Sequence, residues 1–168
     1  AAVITKRLSG MPAPLIAHVM RQIAEALDHV HASDGHLVHR DVCPANILLG
    51  VDGRVKLSDF GVAAIAGTVA KDTIVGKPAY LPPEAFHGAP PTQAWDIYAL
   101  GVILWETLAR KRPFDGESFR ELRGKVLAGP PPLETAEYSP ALVEVATRAI
   151  RPEPALRYQS AAELLHAI

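Results

Sequence analysis

The sequence contains a single cysteine, Cys43, and therefore cannot form a disulfide within the chain. It has no charged start followed by an apolar run of the signal-peptide type, and no apolar stretch approaches the length of a membrane span. The 17 Lys and Arg nearly balance the 18 Asp and Glu, so composition predicts no binding to nucleic acid and no membrane contact. We expect a cytoplasmic protein in which any anionic ligand needs a local site.

The rest of the composition indicates one globular unit. The 168 residues are 49% hydrophobic and 21% charged, which is enough for one ordinary core and too little for two. Residue 1 is alanine and not methionine. We therefore expect a segment of a longer protein.

Hydrophobic periodicity predicts a mainly helical chain. Apolar residues recur at three- and four-residue steps over residues 12–32, which is the pattern of a helix with one buried face. Residues 93–109 are apolar on all sides, and this predicts a central buried helix. Further helices are predicted at residues 117–127, 140–150 and 160–168.

Strand patterns are much rarer than helical ones. The apolar run at residues 47–49 and the segment at residues 54–57 flank a turn at Asp52 and Gly53, which is typical of a short β-hairpin. Residues 59–84 show little periodicity and include three prolines between positions 78 and 83. They predict a long loop, and loops of this length in compact domains tend to be functional.

Two aspartates and an asparagine flank the predicted hairpin. Asp41 and Asn46 precede it and Asp59 follows it, so the fold of the hairpin can bring Asn46 and Asp59 side by side. Their side-chain oxygens are hard ligands that suit Mg²⁺, whose other ligands are water and phosphate oxygens. The pattern predicts a magnesium–phosphate site, with Asp41 left to orient a hydroxyl nucleophile and accept its proton.

Three motifs in this region resemble those of protein kinases. Residues 39–41 (HRD) with Asn46 resemble the catalytic loop, residues 59–61 (DFG) resemble the metal-binding triplet, and residues 82–84 (PPE) resemble the end of the activation segment. The order and spacing of the motifs agree over almost the whole chain. The residues around them are similar to those of bacterial serine/threonine kinases. The resemblance implies a mainly α kinase C-terminal lobe over residues 1–168, with a small β-hairpin next to the catalytic loop.

The resemblance also implies a function. A serine/threonine-protein kinase transfers the γ-phosphoryl group of ATP, bound with Mg²⁺, to hydroxyls of a protein substrate. Asp41 would be the base, and Asn46 and Asp59 would hold the metal and so bind the cofactor. Thr68 and Thr73 are candidate phosphorylation sites, or simply exposed threonines.

Supporting roles follow from the same resemblance. His39 and Phe60 would pack beneath the site, and Gly61 would allow the turn after the metal ligand. Arg40 would pair with a phosphate or hold the loop. Two further contacts are implied, between Asp96 and the backbone of the catalytic loop and between Arg157 and Glu84.

Two positions depart from the kinase pattern. Serine/threonine kinases usually have a lysine two residues after the catalytic aspartate, where this chain has Cys43, and a threonine where it has Lys77. The two positions would lie close together in the kinase fold, so we expect Lys77 to supply the missing cation to the phosphate as a catalytic residue. The alternative is a pseudokinase whose helices serve as a docking platform for proteins.

No G-x-G-x-x-G motif and no V-A-I-K-like run precedes the catalytic loop. We expect the chain to be the C-terminal lobe alone, with the N-terminal lobe missing. It would be inactive by itself, because half of the nucleotide cleft would be absent.

Other interpretations of the histidines and the cysteine are weaker. His36, His39 and Cys43 have a spacing that could suit zinc, but a fourth ligand is missing. Cys43 could also be an oxidisable thiol, given the basic residues predicted near it. The remaining histidines show no partner pattern, and surface or capping roles are expected for His18, His29, His31, His87 and His166.

Overall fold

The computed structural model describes residues 8–33, 37–59, 64–65 and 77–168. Its α-helices are Ala13–His31 (α1), Gln93–Ala109 (α2), Phe119–Ala128 (α3), Pro140–Ala149 (α4) and Ala161–Ala167 (α5). The predicted helices are confirmed, with ends that differ by no more than two residues. None of the described helices combines the length and the apolar character needed to cross a bilayer.

The predicted hairpin is present next to the candidate catalytic loop. Strand β2 (Ile47–Leu49) pairs antiparallel with β3 (Val55–Leu57), with Ile47 opposite Leu57. Gly53 has a φ of 82° in the connecting turn, a conformation that glycine adopts without steric cost.

A second small sheet was not predicted. Strand β1 (Leu37–Val38) pairs antiparallel with β4 (Ala64–Ile65), so the strand content inferred from the sequence was incomplete. Strands of two residues are too short to show an alternating pattern, and this pair joins segments far apart in the sequence.

Helix α1 forms because its apolar residues follow the helical period. Ile16, Met20, Ile23 and Leu27 are at most 1% exposed, and they form one stripe along the helix. Burial of each such side chain contributes about 1.5–3 kcal/mol relative to exposure. Pro14 lies in the first turn, where a missing N–H removes no helical hydrogen bond.

Three of the other helices begin directly after a serine. The hydroxyl oxygens of Ser118, Ser139 and Ser160 each accept a hydrogen bond from the backbone N–H three residues later. This N-cap contact satisfies a donor that has no partner within the helix. The sequence thus sets where α3, α4 and α5 start.

Helix α2 lies at the centre of the fold, as its apolar character predicts. Of its 17 residues, 13 are buried, and it packs chiefly against α4. Gly101 makes this packing possible, since a Cβ atom there would lie 2.5 Å from Ala149 Cβ and 2.8 Å from Ile150 Cγ2. The first turn of α2 also carries a buried aspartate, Asp96, which faces the candidate catalytic loop.

We predict that Gly101→Ala destabilises the chain by about 1–3 kcal/mol, because the added methyl group forces α2 and α4 apart. The matched control is Gly124→Ala in α3, where no atom lies within 4 Å of the new Cβ. That control should stabilise the chain by up to about 1 kcal/mol through helix propensity. Urea unfolding of both variants measures the two effects, and equal effects would contradict the packing described here.

Candidate active site

The candidate catalytic loop, residues 39–46, is held by the carboxylate of Asp96. This side chain is 1% exposed, and it accepts hydrogen bonds from His39 N at Oδ2 and from Arg40 N at Oδ1, both at 2.8 Å. Arg40 has a φ of 66°, in the left-handed region that is uncommon for residues other than glycine. The contact implied by the kinase resemblance is therefore present, and it fixes the residue directly before Asp41.

The side chains of His39 and Arg40 lie beside this anchor. His39 is fully buried, and its Nε2 donates to the carbonyl oxygen of Ser58 at 3.0 Å while its Nδ1 accepts from Asp41 N. Burial lowers the pKa of the Arg40 guanidinium, and the charge of Asp96 partly opposes that shift. The packing role expected for His39 agrees with this position beneath the loop.

Asp41 is oriented by Asn46. The amide Nδ2 of Asn46 donates to Asp41 Oδ2 and to the carbonyl oxygen of Asp41, each at 2.8 Å. The other carboxylate oxygen, Oδ1, is buried and has no hydrogen-bond partner in the part of the chain that the structure describes. One oxygen is thus fixed while the other keeps its capacity to accept a hydrogen bond.

Asn46 and Asp59 supply oxygens that fit Mg²⁺. Because both amide hydrogens of Asn46 point to Asp41, its Oδ1 is left without a donor among the described residues. The exposed carboxylate of Asp59 likewise makes no hydrogen bond or ion pair within the described ranges. Ser58, the residue before Asp59, donates from N and Oγ to the carbonyl oxygen of Asn46, at 2.8 and 3.1 Å, and so joins the two segments.

An amide oxygen and a carboxylate are the hard ligands that Mg²⁺ prefers, and the metal keeps positions for water and phosphate. A zinc cluster has less support, because no group of three or more His, Cys, Asp or Glu side chains suited to a metal occurs among the described residues. His36, one of the residues considered for zinc, lies outside those residues.

Lys77 and Cys43 are in contact, as the two departures from the kinase pattern predict. Lys77 Nζ donates to the buried Cys43 Sγ at 2.8 Å and lies 3.8 Å from Asp41 Oδ2. Burial acts to lower the pKa of Lys77, but the contact with Cys43 and the charges of Asp41 and Asp59 together raise it above its ordinary value. A charged ammonium group therefore stands beside Asp41.

The segment after Lys77 is anchored by a buried ion pair. Arg157 is fully buried, and its Nη1 and Nη2 donate to Glu84 Oε1 and Oε2 at 2.7 and 2.8 Å. The guanidinium also donates to two backbone carbonyls and lies over the ring of Tyr98, 4.7 Å from its centroid. This contact was implied by the resemblance, and bidentate pairs of this kind are geometrically specific.

The surface or capping role expected for His31 is wrong. This histidine is 5% exposed and not on the surface, and its Nε2 lies 2.8 Å from Asp96 Oδ2. The burial of His31 could have been predicted from the sequence, since His31 follows Leu27 by four residues and so continues the buried stripe of α1. A polar residue on such a stripe needs a hydrogen-bond partner.

Several predicted site residues lie outside the described residues. They are Phe60 and Gly61 of the candidate metal-binding triplet, and the candidate phosphorylation sites Thr68 and Thr73. Their roles stay predictions. The residues that the structure does bring together around the catalytic loop are His39, Arg40, Asp41, Cys43, Asn46, Lys77 and Asp96.

Comparison with known proteins agrees with these motifs. Residues 2–167 match the protein kinase domain family. The chain is 34% identical over 168 residues to the serine/threonine-protein kinase PknA of Corynebacterium glutamicum, covering 98% of this chain and 35% of that protein. It is 33% identical over 168 residues to PknA of Mycobacterium tuberculosis, covering 98% and 38% of the two chains.

A third relative is the serine/threonine-protein kinase PrkC of Bacillus subtilis. It is 35% identical over 154 residues, which cover 88% of this chain and 23% of PrkC. The chain thus spans less than two fifths of the length of each of these three relatives.

Proposed function

The chain belongs to the protein kinase family, and from this premise we propose that it is the C-terminal lobe of a serine/threonine-protein kinase that phosphorylates protein hydroxyls. The observation that carries the proposal is the state of Asp41. Its Oδ2 accepts a hydrogen bond from Asn46 Nδ2 at 2.8 Å and lies 3.8 Å from the ammonium group of Lys77. A carboxylate prepared in this way is suited to receive a substrate hydroxyl.

In the proposed reaction, the carboxylate of Asp41 accepts a hydrogen bond from the serine or threonine hydroxyl and so orients the hydroxyl oxygen toward the γ-phosphorus of ATP. The proton passes to Asp41 as the new oxygen–phosphorus bond forms and the bond to the leaving ADP breaks. Asn46 prevents the carboxylate from turning away, because it donates to both the side chain and the backbone of Asp41.

Asn46 Oδ1 and the carboxylate of Asp59 are the proposed ligands of Mg²⁺. Bound with ATP, the metal would neutralise charge on the phosphate oxygens. The remaining task of the chain is to keep these two side chains next to Asp41, and the hydrogen bonds from Ser58 to the backbone of Asn46 support that arrangement.

Lys77 is proposed as the cation that contacts the transferring phosphate, in place of the lysine that kinases usually have at the position of Cys43. Its side chain is 45% exposed, so the ammonium group can turn from the thiol toward a phosphate. An ammonium group acts on phosphate as a compact point charge. A lysine from a different segment of the chain can therefore serve, provided that its charge lies at the phosphate. The ammonium group lies 3.8 Å from Asp41 Oδ2, and so it is next to the proposed base.

A nucleotide-covering lobe is proposed to pack against the hairpin. Leu48, Leu49 and Val51 are exposed there by 52%, 36% and 111%, next to the Asn46 side of the site. Apolar side chains grouped in this way favour a covered surface. Because the reaction uses ATP and the single thiol needs no oxidising compartment, we place the protein in the cytoplasm.

The direct test is phosphate transfer from labelled ATP with Mg²⁺, to the protein itself and to a generic basic protein, using the full-length chain. We predict that Asp41→Asn lowers the rate by about 10²–10⁴-fold, the usual contribution of a positioned general base. The control is Asp52→Asn in the exposed hairpin turn, which should keep the parent rate.

Equal rates for Asp41→Asn and the parent would overturn the role of Asp41. A folded full-length chain without transfer would favour the docking platform, an alternative that the cysteine at position 43 supports.

Lys77→Ala should reduce transfer at least about tenfold, because it removes a charge that stabilises the transition state. Cys43→Ser should cost much less, since the ammonium group remains in place. Lys111→Ala, at another exposed lysine, serves as the control. Equal and small effects of Lys77→Ala and Cys43→Ser would contradict the proposed replacement.

A further inference from the structure

We infer that Gln22 is a positioning residue for the two proposed magnesium ligands and acts through the hairpin that joins them. This inference deepens the proposed function and rests on it only for its kinetic consequence. Gln22 is a partly buried residue of α1 and does not touch the reacting atoms. Its side-chain amide makes three hydrogen bonds, and two of them go to the backbone at the turn end of the hairpin.

The amide of Gln22 takes the place of a neighbouring strand. Val55 N donates to Gln22 Oε1 at 3.0 Å, and Gln22 Nε2 donates to the carbonyl oxygen of Gly53 at 3.2 Å. Gly53 and Val55 are two residues apart, and alternate residues of an extended segment present their N–H and C=O groups at the same edge. Gln22 thus supplies the acceptor and the donor that this edge would otherwise take from another strand or from water.

His18 fixes the orientation of the same amide. It lies one turn earlier in α1, and its Nε2 is 2.7 Å from Gln22 Nε2. Because Val55 N can only donate, the amide oxygen has to face Val55, and the amide nitrogen then faces Gly53 and His18. The oxygen and both hydrogens of the amide each have a partner, so the side chain has one defined position.

The hairpin depends on such support. Its two strands have three residues each, and a two-stranded hairpin of this size is at best marginally stable by itself. Leu48 and Leu49 are 52% and 36% exposed, so their burial adds little. Helix α1, in contrast, is anchored in the core by Met20 and Ile23, on either side of Gln22 in the sequence. The contact of Gln22 therefore joins a weakly held element to a firmly held one.

The other end of the hairpin carries both proposed ligands. Asn46 directly precedes β2, and Asp59 follows β3 by two residues. The hydrogen bonds from Ser58 to Asn46 set the separation of these two segments, whereas Gln22 sets how the hairpin lies on α1. A hairpin that tilted on α1 would move Asn46 and Asp59 relative to Asp41.

The test uses Gln22→Met and Gln22→Glu in the full-length chain. Methionine has nearly the same length without a donor, whereas glutamate keeps an acceptor for Val55 N. Glu25→Met, at an exposed position of the same helix, is the control. The readouts in ¹⁵N-labelled protein are hydrogen exchange of the Val55 amide and the resonances of the Ser58 amide and the Asn46 side-chain amide. The kinetic readout is the Mg²⁺ concentration that gives half-maximal phosphate transfer.

We expect Gln22→Met to speed exchange of the Val55 amide at least about fivefold, because its hydrogen bond is lost. The Ser58 and Asn46 resonances should shift. The half-maximal Mg²⁺ concentration should rise at least about threefold, since residues that orient metal ligands affect metal affinity. The amide of Val102, in the buried helix α2, should exchange at the parent rate. Gln22→Glu should keep Val55 exchange close to the parent rate, and the control should change no readout.

Unchanged exchange at Val55 in Gln22→Met would overturn the inference, and so would equal acceleration at Val102, which would indicate a global loss of stability. Faster exchange with unchanged Ser58 and Asn46 resonances, or with an unchanged Mg²⁺ dependence, would also overturn it, since the contact would then not reach the ligands.

Gln22→Glu that exchanged as fast as Gln22→Met would contradict the role of the bond to Val55. If the methionine variant does not fold, His18→Leu replaces it, because loss of this exposed side chain frees the amide and should give smaller changes in the same direction. A parent without phosphate transfer would overturn the proposed function instead. The exchange rates and the resonances would still decide whether Gln22 holds the hairpin.

Discussion

The need to solvate one buried carboxylate organises the candidate active site. Asp96 is enclosed by the fold, and a charge in that environment is stable only when hydrogen-bond donors surround it. Two of those donors are the backbone amides of His39 and Arg40. The course of the catalytic loop, including the left-handed conformation of Arg40, follows from this requirement, and Asp41 comes next along the chain.

A second buried charge, that of Arg157, attaches the segment after Lys77 to the helical core. Arg157 is fully buried, and its donors are satisfied by Glu84 and by backbone carbonyls. Loss of either member of such a pair leaves an uncompensated charge and costs about 3–5 kcal/mol. The loop with Asp41 and the segment with Lys77 are therefore attached to one core by two separate buried charges, and this is how Lys77 comes to lie beside Asp41.

The long helices and the hairpin could be predicted because their residues repeat with the period of the element. The contacts around Asp96 and Arg157, and that of Lys77 with Cys43, were expected only through the resemblance, since they join residues far apart in the chain. The two-residue strands were missed because they are too short to show a period. His31 was misjudged because its type was considered and its place on the apolar stripe of α1 was not.

The most direct measurement of the central claim is the transfer rate of Asp96→Asn in the full-length chain, with its unfolding transition recorded alongside. Asparagine has nearly the same shape, but it replaces one acceptor oxygen by an amide group that cannot accept from a backbone N–H. We predict that the variant unfolds cooperatively and transfers phosphate at least about tenfold more slowly than the parent, because Asp41 is displaced. Asp115→Asn, at an exposed aspartate, should keep the parent rate. A folded Asp96→Asn variant that transfers phosphate as fast as the parent would contradict the claim that this carboxylate positions the catalytic loop.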